Sequence, residues 1–139
     1  MKLFTTSIPV LTADLESAIA RYEALTGESV KARFGVPDRG LTIALVGSVT
    51  LITGTDSALS PLKSVRATFV VDSLVEFEAH LRASGATILQ APSPTPAGRN
   101  MVARDVEGVV FEFVELRGEP APQSIQNTQE NSHEQRTDT

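Results

Sequence analysis

The sequence has no cysteine, no tryptophan, one tyrosine and two histidines among its 139 residues. Without thiols it can build neither a disulfide framework nor a thiolate metal site. That composition suits a reducing compartment, and a cytoplasmic location is the expectation. The start, MKLFTTSIPVLTADLES, carries one lysine and no apolar segment followed by a cleavage site, so no signal peptide is expected. No apolar run approaches membrane-spanning length, which argues against a membrane partner. A net charge of −5 argues against a nucleic-acid-binding surface. A glycine-rich phosphate loop and a dinucleotide fingerprint are missing too, since the glycines fall at turns and helix ends. Aromatic residues make up only 5% of the chain, which weakens the case for stacking a large planar ligand. Nucleophilic catalysis has little support. A serine would need an imidazole beside it, yet His80 falls beside the apolar stripe of a helix and His133 lies in a polar tail.

What is present is a repeat. The stretch from Arg117 to Thr139 is nearly free of apolar residues and cannot offset its ordering entropy by burial, so it reads as a disordered tail, 117–139. The folded domain is expected over 1–116, as two halves, 1–55 and 65–116, joined by TDSALSPLKS. In the first half LFTTSIPV leads into a helix with Asp14 as N-cap, the stripe Leu15, Ala18, Ile19, Tyr22, Leu25, and Gly27 at its end. In the second, VRATFVV leads into a helix with Ser73 and Glu76 as a capping box, the stripe Leu74, Phe77, Leu81, and Gly85 after it. Three strand-like segments follow each helix: VKARFG, LTIALVG and VTLITG, then TILQA, NMVARD and VVFEFVEL. The pattern predicts an α+β domain of two βαβββ modules whose strands form a curved mixed sheet around a cleft.

Alternation then singles out a set of polar residues. In the last strand Phe111 and Phe113 share one face, while Glu112 lies between valines on the other. In the first strand Phe4, Ile8 and Val10 form the apolar face and leave Thr5 and Ser7 opposite. In the fifth, Val65, Ala67, Phe69 and Val71 leave Arg66 and Thr68 opposite. Ser7, Arg66 and Glu112 should thus point away from the helices, toward the open side of the sheet.

The helix DLESAIARYEALTG, the segment VVDSLVEFEAHLRASGA and the closing ARDVEGVVFEFVE together resemble the vicinal oxygen chelate superfamily, which includes glyoxalase I, ring-cleaving dioxygenases, fosfomycin-resistance enzymes and bleomycin-resistance proteins. The resemblance implies a divalent metal held by side chains from four strands. Two are commonly histidines eight residues before the helix leucine, the places held here by Ser7 and Arg66. The strand pair LTIALVGSVTLITG offers no Asp, Glu, His or Gln, and only Glu112 stands where a ligand is expected. One carboxylate does not make a metal site, so neither a metal nor another cofactor is expected. At the closing turn Val106 and Glu107 replace the usual Pro and Asp.

A charge on an enclosed face is costly unless paired, and Arg66 is the expected partner of Glu112. The pair reads equally as lining a ligand pocket or as a structural ion pair at the site of a lost metal. Ser7, Thr68 and Thr5 are suited to hydrogen-bonding a ligand, and Arg99, from the loop after TPAG, could reach over it. The leading expectation is a metal-independent small-molecule binding protein, in the manner of the antibiotic-sequestering members. A metal-dependent lyase, isomerase or dioxygenase is the alternative, and a non-catalytic partner or regulatory module the third. The resemblance also implies a homodimer.

Overall fold

The computed structural model describes residues 1–118, so all of the expected tail except Arg117 and Gly118 lies outside the described residues. The first module contains β1 (Leu3–Leu11), α1 (Leu15–Thr26), β2 (Val30–Val36), β3 (Leu41–Val46) and β4 (Val49–Gly54). A short helix, α2 (Asp56–Leu59), runs into a single 3₁₀ turn and connects the halves. The second module contains β5 (Val65–Val71), α3 (Leu74–Ala83), β6 (Thr87–Thr95), β7 (Gly98–Arg104) and β8 (Val110–Leu116). The eight strands form one curled half-barrel sheet in the order β2-β3-β4-β1-β5-β8-β7-β6. The two βαβββ modules of an α+β fold are thus present, joined side by side through β1 and β5.

The caps explain where the helices begin and end. The Asp14 carboxylate accepts from the Ser17 amide at 3.1 Å, and Gly27 closes α1 in the left-handed conformation at φ 75°. Ser73 Oγ accepts from the Glu76 amide at 3.2 Å at the start of α3. Each helix packs on its own module. Leu15, Ala18 and Ile19 of α1 meet Ala44, Val46 and Leu51, with Tyr22 at the margin. Leu74 of α3 meets Met101, Ala103 and Phe113, flanked by Phe69, Phe77 and Phe111. A buried side chain of this kind contributes roughly 1.5–3 kcal/mol relative to exposure, which is how two amphipathic helices fix the outer face of one sheet.

Strand β1 divides its pairing. Its first part runs antiparallel to β5, from Leu3–Val71 to Ser7–Thr68. Its second part runs parallel to β4, from Ile8–Val49 to Leu11–Ile52. Pro9 falls just beyond the last β1–β5 pair, where its missing N–H leaves no gap in that ladder.

Two expectations need correction. The proline-rich APSPT does not end β6. The strand continues to Thr95, with register shifts between Ile88 and Gln90 and between Gln90 and Ser93. It lies at the sheet edge, where proline's lack of a donor is tolerated on the outer side. Strand β7 accordingly starts at Gly98, earlier than Asn100. A Cβ at Gly98 would come within 2.1 Å of the Glu115 carbonyl oxygen, so only glycine lets the two backbones close there. The closing turn forms without its usual proline, because one Asp105 carboxylate oxygen accepts from the amides of Glu107 at 2.9 Å and Val109 at 3.0 Å.

Candidate functional site

The sheet face opposite the helices carries a row of hydrogen-bonded polar side chains across six strands. In the second module Thr68 and Glu112 are direct neighbours on β5 and β8, because the register matches Ala67 to Phe111 and Thr68 to Glu112. Phe111 and Phe113 anchor that register on the other face. Phe69 stacks against Phe111 with ring centroids 4.9 Å apart and against Phe113 at 5.4 Å. With both phenylalanines held in the core, alternation leaves Glu112 on the concave side. There Thr68 Oγ1 donates to Glu112 Oε1 at 3.0 Å, and Asn100 Nδ2 on β7 donates to Oε2 at 3.0 Å. Gln90 Nε2 on β6 donates to Asn100 Oδ1, also at 3.0 Å. Asn100 is buried, at 5% exposure, and both ends of its amide are satisfied. Among the described residues no buried side-chain polar atom lacks a partner.

The first module repeats the motif with neutral groups. Ser7 Oγ on β1 shares a short hydrogen bond with Thr50 Oγ1 on β4. Ser7 is also the Cα partner of Thr68 across β1 and β5, so the two hydroxyl–acceptor pairs meet at the middle of the sheet. Around them the first module's half of this face is apolar, with Ile43 and Leu45 on β3 sharing the face of Thr50 and Ile52. At one rim the sheet's two edges approach each other, where Arg39 Nη2 donates to the Pro94 carbonyl at 3.5 Å.

The expected site residues divide into three groups. Ser7, Thr68 and Glu112 come together. Thr5 lies on the same face, opposite Val70, and is half-buried. Arg66 and Arg99 are elsewhere. The register between β5 and β8 shifts between Val65 and Ala67, which makes Arg66 the extra residue of a bulge. It is exposed, and it forms no ion pair with Glu112. The expected Arg66–Glu112 pair is therefore corrected to Thr68–Glu112, with Asn100 as the second donor. Arg99 pairs with Glu115 in the ladder and lies on the helix side. There it lines a depression of about 490 Å³ with Asp72, Glu115 and Arg117. In that region Glu115 Oε1 accepts from the Leu74 amide at 2.8 Å, and Asp72 accepts from the Lys2 amide at 2.8 Å. The latter bond holds the Asp72 carboxyl below its ordinary pKa. His80 is exposed on α3, far from any role as a base on this face.

Thr50, Asn100 and Gln90 belong to the row, and the sequence reading does not reach them. Thr50 alternates with Val49 and Leu51, which pack toward α1, as Ser7 does with Ile8, and that is the available signal.

Comparison with solved structures bears on the family. A crystal structure of an uncharacterized protein from Methanosarcina mazei is 38% identical, over 84% of this chain and 94% of that one, with a TM-score of 0.75. Methylmalonyl-CoA epimerase from Mycobacterium tuberculosis superposes with a TM-score of 0.66 over 89% of this chain and 93% of that one, at 21% identity. A single-residue variant of the Streptomyces coelicolor methylmalonyl-CoA epimerase, in complex with 2-nitronate-propionyl-CoA, gives 0.65 over 84% and 100%, at 19% identity. The chain has the fold of the vicinal oxygen chelate superfamily. At these identities the epimerases share its fold alone. No family model and no curated protein matches the sequence.

The vicinal oxygen chelate fold raises the question of a metal. The row offers one carboxylate, three hydroxyls and two amides, and both Glu112 oxygens already accept from neutral donors. Among the described residues no group of three or more His, Cys, Asp or Glu comes together. A divalent transition metal prefers imidazole or several carboxylates, so this donor set does not fit one.

Proposed function

We propose that this chain binds a small molecule on the concave face without a metal, sequestering a metabolite or an antibiotic rather than transforming it. The observation that carries this reading is the state of Glu112, whose oxygens are held by Thr68 and Asn100 in an arrangement that positions a carboxylate without an ion. The Ser7–Thr50 pair beside it supplies neutral donors and acceptors, and the apolar half of the face supplies a surface for an apolar body.

The epimerases among the structural neighbours suggest proton exchange beside a carbonyl as the rival activity. Exchange on both faces of a carbon calls for two acid–base groups. The row provides one carboxylate, with hydroxyls and amides as the remaining groups. This favours binding over isomerisation.

The proposal includes a homodimer. Ile8 on the central strand β1 is 54% exposed and Leu3 is 44% exposed, and a second copy around a two-fold axis would cover both. Metal analysis of protein purified without chelator, followed by a thermal-shift screen of metabolites and antibiotics, tests the reading. Low metal content with a stabilising compound supports it. Near-equimolar zinc, nickel, manganese or iron, lost in Glu112→Gln, overturns it. Light scattering at tens of micromolar, a range set by ordinary interface affinities, tests the dimer.

A further inference from the structure

On the reading that the concave face is the binding site, we propose that its ligand is a small cation: a protonated nitrogen, ammonium or amidinium, on a compact apolar body, with Glu112 as its counter-charge. Each Glu112 oxygen accepts one neutral donor, Thr68 Oγ1 on Oε1 and Asn100 Nδ2 on Oε2. A carboxylate oxygen has two lone pairs, so each keeps a second acceptor position for a ligand N–H. Neither donor neutralises the charge. The ion pairs among the described residues engage Asp72, Glu76, Glu16 and Glu78, and none engages Glu112.

No arginine among the described residues pairs with Glu112; Arg104, two residues from Val102 on the same face of β7, is exposed and makes no ion pair with it. Arg66 is exposed at the bulge, Arg39 donates to the Pro94 carbonyl, and Arg99 lies on the helix face. The half-buried carboxylate is therefore hydrogen-bonded only by neutral groups of the protein, and a positive ligand group is what complements it. An anionic head group would be repelled, and a neutral one would leave the charge uncompensated. The surroundings set the body of the ligand. Val102 is the Cα partner of Glu112 on β7, Val70 and Val114 are neighbours on β5 and β8, and Ile43 and Leu45 carry the apolar surface into the first module. The side chains beside Glu112 are aliphatic and Phe34, opposite Ile43, stands out at the edge strand β2, which favours a saturated chain or ring next to the carboxylate.

Three probes of equal length separate head group from body: n-hexylammonium, n-hexanol and hexanoate, each titrated into the full chain at pH 7. The readout is the ¹³C methyl shifts of Val70, Val102, Val114, Ile43 and Leu45. Hexylammonium is expected to move these methyls saturably and to bind about tenfold more tightly than hexanol, the scale of one charge-assisted hydrogen bond. Hexanoate is expected to leave them in place. In Glu112→Gln, which keeps the shape and an acceptor for Thr68, the ammonium preference should vanish while the melting temperature stays within a few degrees. Equal binding of hexanol or hexanoate, or undiminished ammonium binding in Glu112→Gln, overturns the cation assignment and leaves the concave face standing as a binding site. Methyls that no probe moves, in a protein shown to be folded, overturn the site and the assignment together.

Discussion

The two modules share one topology and solve it with different residues. The first packs its helix on small and aliphatic side chains, with Ala18 and Ala44 fully buried. The second packs on an aromatic cluster that holds four of the six phenylalanines, with Phe77 and Phe113 rings 5.8 Å apart. The inner faces differ in the same way. In each module a hydroxyl on the first strand bonds to a side chain on the last: Ser7 to Thr50, both neutral, and Thr68 to Glu112, one of them a carboxylate. What the duplication preserves is a hydrogen-bonded connection between those strands, and what it leaves free is the charge at that connection. One half can then present an apolar wall and the other a polar anchor.

Core deletions should break the comparison most strongly. Phe113→Ala and Leu51→Ala should each cost about 2–5 kcal/mol, with Phe113→Ala at the upper end. Because β1 and β5 share a ladder, both variants should unfold in urea as one transition. Separate transitions for the two modules would show that the shared ladder does not couple them. Next, Asn100→Leu strips Glu112 of one donor and Gln90 of its acceptor, and should cost about 1–3 kcal/mol. Thr50→Val, the comparable change in the first module, should cost about 0.5–1.5 kcal/mol, since only a neutral hydrogen bond is lost. Adding Glu112→Leu to Asn100→Leu should recover much of the loss, because no charge is then stranded. A double variant less stable than Asn100→Leu would show that Glu112 stabilises the floor by itself.

Arg66→Ala should change stability by no more than about 0.5 kcal/mol, as expected of an exposed side chain. A larger loss in chemical denaturation would restore an ion-pair role for it. The smallest effect lies at the seam between the halves, where Asp72 of the second module accepts from the Lys2 amide of the first. That bond lowers the Asp72 pKa from 3.8, so its stabilisation is present above that value and fades as pH falls through the lowered one. Asp72→Asn should therefore lower the melting temperature slightly at pH 7, and the difference from wild type should shrink as pH falls through the lowered pKa.

The fold was legible because its signals are local. Apolar stripes at helical spacing, the caps at Asp14 and Ser73 and strict alternation in β1, β5 and β8 each point to one element. The site was legible only where alternation alone decides the face, as for Ser7, Thr68 and Glu112. The partner of Glu112 depends on a register shift between Val65 and Ala67, a property of two strands together that neither strand's sequence carries. The extension of β6 through Pro92 and Pro94 likewise depends on its being an edge, which only the assembled sheet determines. Asn100 was hidden for a related reason: its burial follows from Gln90 and Glu112 on the two flanking strands, and the pairing that brings them together depends on the register shifts of β6.

The divided pairing of β1 has a consequence for the order in which the chain is made. β1 is synthesised before every strand it pairs with. Its later half waits for residues 49–52 of β4, and its earlier half waits for residues 68–71 of β5. Both contacts close long loops, so neither half-sheet can finish around β1 until much of the chain has left the ribosome. During that interval β1 is an unpaired strand with Phe4, Ile8 and Val10 along one side. Pro9 interrupts its row of donors and lowers the risk that the waiting strand recruits another chain.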